Sequence, residues 1–124
     1  MLIKDFYNQI ICNQEDNIII FSIKLNPNHE AYKGHFPQQA IVPGVIQLQI
    51  AREILENQLG LKLMMDDIVQ VKYLVPVLPQ ENQELNFEIN IKETTESVVK
   101  TNISIFDSEK TFTKARINFS IKEN

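Results

Sequence analysis

One segment, VIQLQIAREILENQL, sets the main constraint on what this chain can fold into. Its apolar residues recur at spacings of three and four, and they are Val45, Leu48, Ala51, Ile54, Leu55 and Leu59. Pro43 stands at or near the first helical position and Gly60 follows the last, which are the favoured places for these residues at helix ends. We predict a helix from about residue 44 to residue 58. Its exposed rows hold Arg52, Glu53 and Glu56, and the apolar coverage is wide enough for a sheet to wrap most of it.

Strand-forming segments lie on both sides of this helix. Before it, residues 3–12 and 17–25 flank the polar turn 13–16 and predict a hairpin. After it, alternating segments predict four strands of an antiparallel meander, at residues 68–77, 84–92, 98–107 and 111–122. A curved antiparallel sheet around one central helix buries these faces most simply, which is the α+β arrangement called the hotdog fold. We expect a single hotdog domain over residues 1–124.

The composition excludes several classes of protein. Hydrophobic residues make up 44% of the chain and charged residues 23%, as in ordinary globular proteins. The net charge is −4 and the twelve Lys and Arg residues are scattered, so we expect no nucleic-acid partner. No apolar run approaches the roughly 20 residues of a membrane span, and the start lacks a secretory-signal pattern, which favours a cytoplasmic protein without membrane insertion. A lone Cys12 excludes an internal disulfide and predicts a small buried hydrophobic residue.

The loop before the helix carries the candidate chemistry. Three prolines and both histidines fall within residues 26–43, and the run GHFPQQAIVPGV places His35 nine residues before Gly44. The free amides of Gly44 and Val45 at the helix start can hydrogen-bond a carbonyl oxygen and stabilise an enolate-like oxyanion. His35 titrates near neutrality and can take the proton from the adjacent carbon. This pattern indicates elimination on a thioester, or its reverse, with no metal or dissociable cofactor.

Two stretches resemble one family of enzymes. The run HEAYKGHFPQQAIVPGVIQLQ, residues 29–49, and the run VKYLVPVLPQENQEL, residues 71–85, are similar to the FabZ-type 3-hydroxyacyl-acyl carrier protein dehydratases. The resemblance implies a hotdog homodimer with active sites at the subunit interface, acting on acyl chains held by acyl carrier protein. It also implies that His35 faces an acidic residue on the partner's central helix. The run VPGVIQLQ is more similar to divergent dehydratases of specialised pathways, such as aryl polyene or flexirubin synthesis.

The position of that acidic residue is occupied by Gln49, which can hold a hydroxyl by hydrogen bonds but cannot supply its proton. Three interpretations follow in order of preference. His35 both removes the α proton and returns it to the leaving hydroxyl, Glu53 supplies the carboxylate one turn further on, or the site binds acyl thioesters without dehydrating them. The last case corresponds to a module that binds acyl carrier protein or a paralogue. A thioesterase ranks behind both.

The remaining candidates are side chains that line or approach the site. Phe36, Pro43 and Val45 are the candidate substrate contacts, although Phe36 and Tyr32 are also placed to anchor the loop to the core. The lysines at 33, 62, 72 and 114 are candidate contacts for an acidic carrier protein, or simply solubilising surface residues.

Overall fold

The computed structural model describes residues 5–32 and 41–122 of the chain. Within these residues all six strands form one antiparallel sheet in the order β1-β2-β4-β5-β6-β3, and one helix packs against it. The expected hotdog fold is therefore confirmed. The elements are β1 (Tyr7–Glu15), β2 (Ile18–Leu25), a 3-10 turn (Glu30–Tyr32), α1 (Gly44–Leu59), β3 (Leu63–Tyr73), β4 (Glu84–Thr94), β5 (Val98–Phe106) and β6 (Thr111–Ile121).

The helix α1 begins and ends where its flanking residues predict. Pro43 precedes it with an extended backbone, φ −57° and ψ 145°. Gly60 closes it at a φ of 68°, a left-handed conformation that glycine adopts without steric cost, and its N–H donates to Glu56 O at 2.8 Å. Seven helical side chains are buried, which confirms wide coverage by the sheet. The expected exposure of Glu53 is wrong, because its side chain is only 7% exposed and lies against β1.

The hairpin before the helix is confirmed, with different bounds. The turn contains two residues, Asp16 and Asn17, and Asp16 has the positive φ of 54° that a tight hairpin favours. Strand β1 consequently continues through Asn13, Gln14 and Glu15, because its backbone pairs with β2 whatever the polarity of its side chains. Residues 3 and 4 of the predicted strand lie outside the described residues.

The predicted four-strand meander is wrong in its first strand. Strands β4, β5 and β6 do form a meander, but β3 pairs with β6 at the far end of the sheet and not with β4. Strand β3 also begins at Leu63 and ends at Tyr73, before the prolines at 76 and 79. The connection of residues 74–83 carries the chain past the helix start, where Val42 N donates to Val77 O at 2.9 Å. Alternation of apolar and polar residues predicts a strand, but it does not predict which other strand pairs with it.

The core lies between the helix and the inner face of the sheet. Buried and partly exposed residues alternate along β4, β5 and β6, so that alternate side chains point towards α1. The largest fully buried side chains include Phe87, Phe112 and Phe119. Cys12 is only partly buried, and its thiol donates to Gln58 Oε1 at 3.1 Å, so the prediction of a fully buried residue is wrong. No helix in the described part is long and apolar enough to cross a membrane.

Candidate active site at the helix start

A buried glutamine fixes the start of the helix to the sheet. The side chain of Gln47 is 3% exposed, and its Oε1 accepts a hydrogen bond of 2.5 Å from Thr113 Oγ1 on β6. Its Nε2 donates to Val42 O at 3.3 Å. Both ends of the carboxamide are therefore satisfied inside the protein, as a buried polar group requires. These bonds hold the first turn of α1 in a defined position on the inner face of β6.

The first backbone amides of the helix differ in their hydrogen bonding. The N–H groups of Ile46 and Gln47 donate to Pro43 O, at 3.1 and 3.2 Å. The amides of Gly44 and Val45 meet no acceptor within residues 5–32 and 41–122. The adjacent side chains of Pro43 and Val45 are exposed, Val45 to 58%. Within the described residues, the helix start thus has two amides without an acceptor and an exposed apolar side chain.

Tyr73, at the end of β3, packs its ring against Gly44. A β-carbon on Gly44 would overlap the Cζ, Cε1 and Oη atoms of Tyr73. Glycine at this position therefore makes room for a phenol ring, in addition to any ligand that approaches the backbone. Partial burial of the ring raises the pKa of Tyr73. Sequence reasoning missed this residue, because no local pattern in β3 distinguishes it from its neighbours.

Gln49, the candidate partner of His35, is held by a polar network on the helix surface. Its Oε1 accepts a hydrogen bond of 2.9 Å from Arg52 Nε. Arg52 Nη1 forms an ion pair of 3.1 Å with Glu56 Oε1, and Glu56 Oε2 accepts from the Leu63 N–H at 2.8 Å. With Oε1 occupied, the Nε2 group of Gln49 remains as a donor without a partner among the described residues. Within the described part of the chain, Gln49 therefore keeps an amide donor that is not engaged.

Glu53, the alternative acid, belongs to a different environment. Its Oε2 accepts a hydrogen bond of 3.3 Å from Tyr7 Oη, and burial, followed by the nearby carboxylate, raises the pKa of Tyr7 to about 12. The pair borders a cavity of about 390 Å³ between β1 and the second half of α1. At 1.5 Å per residue, Glu53 lies about 13 Å along the helix from Gly44, whereas Gln49 lies only about 7 Å from it. Along the helix, Gln49 is therefore nearer than Glu53 to the first turn.

The histidine and the phenylalanine of the candidate site, His35 and Phe36, lie outside the described residues. The roles assigned to them and to Gly44, Gln49 and Glu53 therefore stay predictions. Tyr32, just before this part of the loop, packs against Phe6 with ring centroids 5.5 Å apart, which agrees with an anchoring role. The described ranges contain no group of three or more His, Cys, Asp or Glu side chains that could hold a metal ion.

The family model described as ApeI-like, ApeI dehydratase, matches residues 11–116. The match begins within β1 and spans β2, the loop, the helix and most of the remaining sheet. It confirms the predicted relationship to hotdog dehydratases. No curated protein matches this chain significantly in sequence.

Solved structures of other proteins share this fold, among them these three. The dehydratase heterocomplex ApeI:P from Xenorhabdus doucetiae is 21% identical, covers 91% of this chain and 96% of its own, and superposes with a TM-score of 0.72. A thioesterase from Staphylococcus aureus is 15% identical, with 93% of each chain covered and a TM-score of 0.68. A hypothetical thioesterase with coenzyme A from Streptococcus pneumoniae is 11% identical, covering 95% of this chain and 87% of its own, with a TM-score of 0.67.

Proposed function

This chain belongs to the ApeI-like dehydratase family, and we propose on that basis that it dehydrates 3-hydroxyacyl groups on acyl carrier protein to enoyl thioesters. The observation that carries the proposal is the family match over residues 11–116, which includes the whole helix start. The pathway is fatty-acid synthesis or specialised lipid synthesis of the aryl polyene or flexirubin kind. The preference for a specialised pathway rests on the VPGVIQLQ resemblance together with the family match.

The reaction begins with the thioester carbonyl oxygen at the free amides of Gly44 and Val45. These donors and the positive end of the helix dipole stabilise the negative charge that develops on that oxygen. His35 removes the proton from the carbon next to the carbonyl and becomes an imidazolium. The bond between the β-carbon and its hydroxyl then breaks, the double bond forms, and the imidazolium proton leaves with the hydroxyl as water.

Gln49 supports the departure of the hydroxyl without supplying a proton. Its Nε2 donor holds the hydroxyl oxygen, while Arg52 keeps the carboxamide oriented by binding Oε1. Because glutamine does not ionise near neutrality, His35 serves as both base and acid. We assign Phe36, Pro43 and Val45 to contact with the acyl chain, and Glu53 to the packing of β1 on the helix.

The active form is a homodimer in which Gln49 comes from the partner chain. Edge strand β3 and the adjoining Leu74 support this proposal, because several of their large apolar side chains are exposed: Met64, Ile68, Val69, Tyr73 and Leu74. An unpaired strand edge with exposed apolar residues favours pairing with another chain. Tyr73 belongs to this edge strand and packs against Gly44, so a dimer there forms next to the helix start.

The proposal is tested with a 3-hydroxyacyl thioester of acyl carrier protein and with the matching enoyl thioester. We expect the wild-type protein to interconvert the two, and His35→Ala to lower the rate about 10²-fold to 10⁴-fold, as for loss of a general acid-base residue. Gln49→Ala should lower the rate less. Gln58→Ala, on an exposed position of the same helix, is the matched control and should leave the rate unchanged.

Gln49→Glu separates the competing interpretations. A large gain from near-zero activity would mean that the native chain is a non-catalytic binding module, whereas a loss is expected if the glutamine is the working residue. Release of free thiol from an acyl thioester, without enoyl formation, would instead identify a thioesterase, an activity named for two of the structural neighbours. If the wild type catalyses neither dehydration nor thioester hydrolysis, the assignment of an enzyme is overturned.

A further inference from the structure

Three cationic side chains lie together on the outer face of the sheet. Lys72 of β3 is directly opposite Lys114 of β6, and Arg116 of β6 is opposite Gln70 of β3. Side chains directly opposite each other in an antiparallel pair have β-carbons about 5 Å apart. Lys72, Lys114 and Arg116 are all exposed, and together we name them the cationic cluster. The twelve basic residues look scattered along the sequence, but the pairing of β3 with β6 brings these three to one place.

Among the described residues, the cleft beside the cationic cluster is lined by hydrogen-bond donors and by no acidic side chain. The cluster borders a cleft of about 280 Å³, whose other polar side chains are Gln70, Asn102 and Ser104. On β5, Asn102 is opposite Arg116 and Ser104 is opposite Lys114. Amide and hydroxyl groups thus extend the donor surface on the side of the cluster away from β3.

The nearest carboxylates in the strand register are separated from the cluster or engaged elsewhere. Asp67 accepts a hydrogen bond of 3.0 Å from Asn118 Nδ2. Glu88 lies opposite Ser104, two strands from Lys114 and therefore about 10 Å from it. Within residues 5–32 and 41–122, no ion pair involves any member of the cationic cluster.

This arrangement is unfavourable for an isolated sheet. Like charges directly opposite each other on neighbouring strands destabilise their pairing. The chain has 16 acidic residues against 12 basic ones, so acids are plentiful. On the same sheet Lys100 does have such a partner, since its Nζ lies 3.3 Å from Glu93 Oε2. Three cations that form no ion pair with a described carboxylate leave a local positive charge that a bound anion would neutralise.

We propose that the cationic cluster binds the phosphate group of a phosphate-bearing ligand. Arg116 can present a planar fork to two phosphate oxygens, the two ammonium groups add point charges, and the neutral donors complete the set. A compact group of three cations fits one multivalent anion better than a nucleic-acid backbone, which needs a longer basic surface. The ligand is free phosphate or the phosphate ester of a larger molecule. The proposal does not depend on the dehydratase function.

The test is a ¹⁵N NMR titration of the full chain with sodium phosphate, sodium pyrophosphate and coenzyme A, each against sodium chloride at equal ionic strength. We expect saturable shifts at the amides of the cleft residues. Lys72→Gln and Lys114→Gln should each weaken binding at least tenfold. Lys92→Gln, which removes an exposed lysine of β4 outside the cleft, is the matched control and should leave the affinity unchanged.

The probes distinguish the source of the phosphate. Equal affinity for phosphate and coenzyme A identifies a free-phosphate site, and tighter binding of coenzyme A identifies a phosphate-ester ligand. Chemical shifts that change linearly with the concentration of phosphate probe, as they do with sodium chloride, overturn the proposal. Saturable binding of a short single-stranded DNA or an acidic peptide, with no saturable binding of any of the three phosphate probes, also overturns the proposal.

Thermal unfolding supplies an independent readout that also reports whether the variants fold. In low-salt buffer without phosphate, Lys114→Gln should melt at a higher temperature than the wild type, because it relieves the repulsion from Lys72. Pyrophosphate should then raise the melting temperature of the wild type more than that of the variant. Equal stabilisation of both proteins contradicts the proposal.

Discussion

Gly44 has an observed role in packing and a proposed role in chemistry. It leaves the space that the Tyr73 ring occupies, and we propose that its amide binds the substrate carbonyl. Because the overlapping atoms belong to the far end of a side chain that is 53% exposed, the ring can move aside for a methyl group. The two roles of the glycine can therefore be separated experimentally.

We predict that Gly44→Ala displaces the Tyr73 ring towards solvent with little loss of stability, about 1 kcal/mol or less, since helix propensity favours alanine. Burial raises the pKa of Tyr73 in the wild type, so the variant should shift that pKa down towards its ordinary value. The measurement is a pH titration of the Tyr73 ring carbon by NMR. If Tyr73 titrates identically in both proteins, its ring does not pack against Gly44 as described.

Gly60→Ala is the matched control at the other end of the helix. Gly60 has no neighbour that a β-carbon would meet, but its φ is 68°. Alanine there should cost about 1 kcal/mol through the left-handed backbone alone. The Tyr73 titration should not change.

At the scale of elements, the pair of Tyr7 and Glu53 joins the hairpin to the helix. Tyr7 is the first residue of β1 and Glu53 lies in the middle of α1, and both are 7% exposed. A buried carboxylate needs a donor, so the phenol hydroxyl stabilises the packing of one element on the other. The bond thus contributes to accommodating an acidic residue on a covered helix face.

We predict that Tyr7→Phe lowers the free energy of unfolding at pH 8 by about 2 kcal/mol, the usual size of a hydrogen bond to a charged group. The pKa of Tyr7 is raised from 10.0 to about 12 in the folded protein. Its contribution to stability is therefore fully present below pH 10 and is lost as the pH rises to about 12. Denaturant unfolding across this range should show a decline in the wild type that is smaller in the variant.

Tyr32→Phe is the control for the loss of a phenol hydroxyl. The buried hydroxyl of Tyr32 has no hydrogen-bond partner in the described part of the chain. Its removal should change stability at pH 8 by less than the removal of the Tyr7 hydroxyl. An equal loss in both variants would mean that Glu53 does not depend on Tyr7.

The whole molecule has two sheet edges of different character. Strand β1 forms one edge and β3 the other. The β3 edge adjoins the helix start through Tyr73, and it is the edge assigned to the dimer. The edges can be compared directly, because each carries an apolar residue about half exposed, Ile11 at 51% and Val69 at 50%.

We predict that Val69→Lys converts the wild-type dimer to a monomer and abolishes dehydration with it, since a monomer lacks the partner's Gln49. Ile11→Lys places the same charge on the other edge and should remain dimeric. Sedimentation equilibrium measures the outcome. A monomeric wild type, or dissociation by Ile11→Lys alone, would refute dimerisation through β3.

The sequence by itself determined the features that arise from local periodicity and local backbone chemistry. The helix ends at residues 44 and 59 follow from Pro43 and Gly60, and most strands follow from alternation. The runs at residues 29–49 and 71–85 likewise indicated a hotdog dehydratase, which the family match confirms, whereas the roles of His35 and Gly44 stay predictions. These properties depend on residues that are close together in the chain.

Only the tertiary structure decided which distant segments meet. The place of β3 beside β6 follows from how the chain returns past the helix, and this placement brings Lys72 to Lys114 and Tyr73 to Gly44. The burial of Glu53 likewise required the contact of Tyr7 across 46 residues. Alternation gives a strand its faces, but the strand's neighbours are selected by the packing of the whole core.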